Sequence, residues 1–109
     1  MNWIDIGAVA DVPVRGSRVV TTTAGDIAIF KTADGRIFAL WDKCPHKGGP
    51  LSQGIVHDDS VTCPLHNWVI GLEAGEVRGP DHGCARKVQT RLEAGRILLP
   101  SHILGRKAA

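Results

Sequence analysis

Four residues of two kinds, set in two short runs, constrain this chain more than anything else in it. They are Cys44-Pro45-His46 and, sixteen residues later, Cys63-Pro64-Leu65-His66. Each run offers one soft thiolate and one imidazole, and the proline after each cysteine stiffens the turn that presents them. The whole chain has three Cys and five His, and two of each stand in these runs. If the pairs act together, the backbone must bring two loops to one place, and the remaining segments must form the scaffold that holds them there.

That scaffold reads as β structure. No stretch sustains a 3.6-residue periodicity, whereas short apolar and β-branched runs recur between turn signals. Strands are expected at residues 3–6, 18–22, 26–32, 36–41, 60–63, 68–72, 87–92 and 96–99. Asp34-Gly35 lies between Ile29-Phe30 and Ile37-Phe38 and predicts a hairpin, because glycine accepts the positive φ of a tight turn. The hexapeptides Leu72-Glu73-Ala74-Gly75-Glu76-Val77 and Leu92-Glu93-Ala94-Gly95-Arg96-Ile97 predict two similar turns and no domain repeat. Between Asp42 and Pro64 the alternation fades and Gly, Pro and Asp accumulate, which marks an irregular insertion on the β base. Residues 101–109 read as a loosely held end.

At 109 residues the chain has room for one core. Its 43% hydrophobic and 22% charged residues fit a globular domain, not a disordered one. The net charge is +2 and the basic residues are dispersed, so no nucleic-acid partner is expected. Apolar stretches such as Ile37–Trp41 fall far short of the roughly 20 residues of a membrane span, and the start lacks the pattern of a signal peptide. A cytoplasmic protein with no membrane partner is expected. In such a reducing compartment an odd set of three cysteines favours metal binding over cross-linking.

Two Cys and two His could build a tetrahedral zinc site or hold a [2Fe-2S] cluster, with one iron on Cys and the other on His. Structural zinc knuckles usually pair Cys with Cys and His with His. Here the types alternate within each run, which suits two loops facing each other across a binuclear cluster.

On these residues the chain resembles the Rieske family, whose motif is this double loop. The resemblance implies an all-β fold, an antiparallel base (sandwich or incomplete barrel) with an inserted cluster-binding subdomain. It implies a Rieske domain over residues 1–105, the subdomain over about 43–80, and a flexible tail over 106–109. It also implies a Rieske-type [2Fe-2S] cofactor, with Cys44 and Cys63 on one iron and His46 and His66 on the other. Gly48 and Gly49 would let backbone N–H groups approach the sulfides, or would form a plain turn.

Departures from the family pattern carry information. High-potential members add a second Cys pair beside the cluster, at positions held here by Gly49 and Leu65, and place Ser and Tyr where Trp68 and Ile70 stand. Fewer donors to the sulfurs imply a low potential. The segments Cys44–Ser52, Cys63–Trp68 and Gly79–Cys84 resemble the small subunits of assimilatory NADH-dependent nitrite reductases, implying a large flavin and sirohaem subunit as partner. A free Rieske ferredoxin feeding a ring-hydroxylating dioxygenase is the alternative. Catalysis by the isolated chain is not expected.

Several conspicuous residues are read as structural. Trp41 and Trp68 are expected to pack beneath the cluster. Cys84 is expected to be a small free thiol, buried or half-buried, with no assigned role. His57, His82 and His102 have no companions at ligand spacing, and Ser52 has no triad partners.

Overall fold

The fold is a computed structural model that describes residues 2–44, 49–64, 67–78 and 83–103. It is built of antiparallel strands in three small sheets, with short 3-10 turns between some of them. The all-β expectation holds. Among the described residues no helix is long and apolar enough to cross a membrane.

The middle sheet contains β2 (Gly16–Thr22), β3 (Gly25–Lys31), β4 (Ile37–Trp41) and β9 (Lys87–Val88), in that spatial order. Its two central strands explain the architecture. Along β3, Ile27 and Ile29 point into one apolar cluster, while Ala28 and Phe30 point into another. Along β4, Ile37 and Ala39 join the first of these, and Phe38 and Leu40 the second. Successive side chains of a strand leave on opposite faces, so an unbroken apolar run is what a strand buried on both faces requires. The pairings Ala28 with Leu40 and Ile29 with Ala39 keep each face in register.

One face of this sheet packs on a three-stranded sheet of β1 (Trp3–Ala8), β11 (Arg96–Pro100) and β10 (Arg91–Glu93), through Ile97 and Leu99. The other face packs on β5 (Ile55–His57), β6 (Ser60–Thr62), β7 (Val69–Gly71) and β8 (Val77–Arg78), through Val56, Val61 and Ile70. This third sheet is a meander whose strands pair in sequence order.

The hairpin marked by Asp34-Gly35 forms, with Lys31 opposite Ile37 and Gly35 at φ 88°. The 87–92 expectation requires correction. It breaks into two strands in different sheets, because the chain leaves the middle sheet after Val88 and enters the first at Arg91. β5 and β8 are strands of three and two residues that their own sequence does not announce.

The similar hexapeptides also diverge. Ala94-Gly95 is a two-residue turn with both φ angles positive, joining paired Glu93 and Arg96. Residues 72–75 instead form a longer turn in which Gly75 N–H donates to Gly71 O at 2.8 Å. Ser101 is tied down by its N–H to Asn2 O at 2.9 Å, and Ile103 packs on the core, so residues 101–103 are held and not part of the loose end expected there. Residues 104–109 lie outside the described residues.

Candidate metal centre

Cys44 follows β4 and Cys63 follows β6, so each thiol is presented at the end of a strand. Both belong to the apolar cluster that joins the middle sheet to the third one, at 3% and 0% exposure. The backbone closes around each in the same way. Cys44 N–H donates to Gly49 O at 2.8 Å and Cys63 N–H donates to Trp68 O at 2.7 Å. Two loops of equal length, 44–49 and 63–68, thus begin on a buried cysteine and return to its own N–H. In the second loop Asn67 takes φ 57°, a left-handed conformation that asparagine tolerates better than most residues.

His46 and His66 lie outside the described residues, as do Pro45, Lys47, Gly48 and Leu65. Gly49 is buried and its carbonyl closes the first loop, the turn role expected as one alternative for it.

Trp68 packs against the apolar core that contains the two cysteines. Trp41 does not; it packs against the opposite core, because its place in β4 puts it on the same face as Ile37 and Ala39. Its ring also carries the Arg86 guanidinium at 5.4 Å and lines an open cavity of about 430 Å³ with Lys43, Cys44 and Cys84. Cys84 is exposed, which corrects the expectation of burial. It sits at an isolated bridge to Glu76.

His57 has the structural role expected, with Nε2 2.7 Å from Thr62 Oγ1 across the β5–β6 pair. His102 is exposed, and His82 lies outside the described residues.

Asp42 and Ser52 were not singled out as partners by sequence reading. The Asp42 carboxylate accepts the Ser52 N–H at 2.7 Å on Oδ1 and the Ser52 hydroxyl at 2.7 Å on Oδ2. The only available signal was an Asp just before the first Cys run and a Ser just after it. Nearby, Gly54 is a point of close approach: a Cβ there would meet Thr62 O at 2.2 Å.

The donor chemistry fits an iron-sulfur group. Cys44, Cys63 and Cys84 form no disulfide with one another, and two of these thiols are held at loop heads in a low-dielectric environment. Soft thiolates in such a setting suit iron-sulfur ligation.

The profile of the Rieske [2Fe-2S] domain matches residues 2–91. The chain belongs to the Rieske [2Fe-2S] domain family, an electron-transfer class whose cofactor is a Rieske-type [2Fe-2S] cluster. It is 36% identical over 77 residues to the 3-phenylpropionate/cinnamic acid dioxygenase ferredoxin subunit of Photorhabdus laumondii subsp. laumondii, covering 70% of this chain and 71% of that one. It is also 36% identical over 77 residues to the 4beta-methylsterol monooxygenase of Methylococcus capsulatus, covering 69% of this chain but only 18% of that longer protein. Among solved structures, one described as an NADH-dependent nitrite reductase small subunit from Mycobacterium tuberculosis superposes with TM-score 0.79 at 23% identity, covering 90% of this chain and 93% of that one. The carbazole 1,9a-dioxygenase ferredoxin of Nocardioides aromaticivorans IC177 superposes with TM-score 0.80 at 16% identity, covering 91% and 97%. At these identities the superpositions speak for the fold.

Proposed function

We propose that the chain is the Rieske electron-transfer subunit of an NADH-dependent nitrite reductase, with Cys44 and Cys63 on one iron and His46 and His66 on the other. The domain spans residues 1–105, with the cluster-binding part over about 43–80 and a tail at 106–109, and it works in the cytoplasm. The bound cluster supplies a one-electron carrier. The chain's own contribution is to bury both cysteines, hold the two loops on two sheets packed against each other and keep water from the thiolates.

The observation that carries this reading is the wording of three segments, Cys44–Ser52, Cys63–Trp68 and Gly79–Cys84, which resemble nitrite reductase small subunits. A fold shared with such a subunit over nine-tenths of the chain agrees with it. Nitrite reduction to ammonia takes six electrons and a metal that binds nitrite, whereas a Rieske centre passes single electrons and has both irons fully ligated. The chain therefore acts with a larger flavin and sirohaem subunit, and His46, Lys47 and His66 are the first residues to test for contact with it.

The second reading, a ferredoxin for a ring-hydroxylating dioxygenase, is favoured by the 36% identity to a dioxygenase ferredoxin subunit. Two assays separate them: NADH-dependent nitrite consumption by a large subunit with and without this chain, and electron delivery to a ring-hydroxylating oxygenase. Stimulated nitrite turnover supports the first reading. Nitrite turnover indifferent to the chain, with efficient reduction of the oxygenase, establishes the second. Lys47→Glu is expected to weaken coupling to the partner while leaving the visible spectrum intact.

A further inference from the structure

The first cysteine loop is gripped outside its own backbone closure. Asp42 stands two residues before Cys44, and Ser52 three residues after Gly49. The Asp42 carboxylate spans both polar groups of Ser52, the N–H and the hydroxyl, at 2.7 Å each. Both partners are also anchored to the base. Asp42 N–H donates to Asp26 O, next to the buried part of β3, at 2.9 Å. Ser17 of β2 donates its hydroxyl to Ser52 O at 2.7 Å. Both stems of the loop are therefore fastened to each other and to two neighbouring strands.

Neither residue belongs to the proposed ligand set, and both are half-buried, so these bonds are less diluted by water than those of a fully exposed pair. Hydrogen bonds to an ionised acceptor are stronger than neutral ones. A two-point grip also fixes orientation as well as distance.

We infer that Asp42 and Ser52 are positioning residues for the cluster: their paired hydrogen bonds hold the stems of the Cys44 loop, and so the thiol itself, at the place the second loop requires. This rests on Cys44 being a cluster ligand. The grip acts through the backbone, with no contact to the cluster. Its loss lets the Cys44 end of the loop drift while the base stays folded.

The test uses the full chain carrying its cluster, with Ser52→Ala, Asp42→Asn, Asp42→Ala and the double variant Asp42→Ala/Ser52→Ala. Three quantities are followed: the rate of visible bleaching in the presence of a chelator, the g-values of the dithionite-reduced protein, and the unfolding midpoint. Asp42→Ala is expected to speed bleaching about tenfold and to shift the g-values of the cluster that remains. Ser52→Ala should show a smaller change. The double variant should be no worse than Asp42→Ala, because both substitutions remove the same interaction. Asp42→Asn should recover part of the loss, since its carbonyl still accepts the Ser52 N–H.

A merely structural pair would lower the unfolding midpoint with unchanged g-values, and that result overturns the inference, as does strict additivity of the two substitutions. If Asp42→Ala fails to fold, Ser52→Ala and Asp42→Asn decide the matter by the same readouts. Wild-type protein that binds no [2Fe-2S] cluster under iron-replete conditions overturns the ligand assignment itself. Wild-type protein with its cluster, and variants indistinguishable from it, overturn only the clamp.

Discussion

Cys44 and Cys63 are buried where a cysteine with no metal would serve only as a small apolar side chain. Replacing either by Ala, or replacing His46 or His66, is expected to abolish visible absorption and to destabilise the insertion, because cluster binding and local folding are coupled. Iron and acid-labile sulfide analysis checks this: about two of each per chain for wild type and none for the variants. Cys84→Ser should leave the spectrum unchanged, since Cys84 is exposed whereas the other two cysteines are buried. Bleaching in that variant would reassign it. The side chains of Trp68 and Ile70 carry no hydroxyl, and Ile70 is wholly buried among apolar groups. Without a hydroxyl at these two positions, the reduction potential is expected near the low end of the Rieske range, roughly −150 mV, as measured by dye-mediated titration. A value well above zero would contradict the donor argument. These residue-scale features are legible in sequence, because a ligand's chemistry travels with its side chain. Asp42–Ser52 was not, because ten positions separate the partners and only the fold brings them together.

At the scale of elements, the insertion depends on how closely β5 approaches β6. Gly54 enters β5 against the Thr62 carbonyl, and its Cβ would lie 2.2 Å from that oxygen. Backbone cannot swing aside as a flexible side-chain tip can. Gly54→Ala should therefore cost roughly 1–3 kcal/mol, read from denaturant midpoints, and should hasten cluster loss because Cys63 follows Thr62 directly. β8 is held to the β5–β6 turn by Arg78, whose Nη1 donates to Asp59 Oδ1 at 3.0 Å and to Ser60 Oγ at 2.7 Å. The Arg78 hydrogen bond holds the Asp59 carboxyl below its ordinary 3.8. Asp5 is lowered in the same direction by its hydrogen bond to Arg96. A carboxyl with a depressed folded pKa stabilises above its unfolded value and loses that contribution as pH falls through the folded one. Stability should thus decline on acidification below about pH 4, and Arg78→Ala should flatten part of that limb. Because these pairs are exposed, the effect is small and weakens with added salt. Sequence reading finds the longer strands through their apolar and β-branched runs between turn signals, but β5 and β8 are too short for such a run to register. It also expected one strand over 87–92, since nothing local indicates a change of sheet between Val88 and Arg91.

For the whole molecule, β3 and β4 form the shared wall between two apolar clusters, one turned toward the three-stranded sheet and one toward the cysteine loops. Phe30, the largest wholly buried side chain among the described residues, lies on the cysteine side. Phe30→Ala is expected to cost about 3–5 kcal/mol, a large share of a small domain's stability. Calorimetry with and without the cluster should show the loss in both states, because the base is the platform on which the loops stand. By itself the sequence determined the all-β class and both Cys/His runs, since short β-branched and apolar runs and ligand chemistry are local properties readable within a few residues. It also determined the central hairpin, through a turn that glycine permits. Only the tertiary structure decided which face each apolar residue serves, that Trp41 packs away from the cysteines while Trp68 packs with them, and that Asp42 grips Ser52. The reason is physical. A strand's period fixes only that neighbours point to opposite sides, and what lies on each side is set by segments distant in the chain.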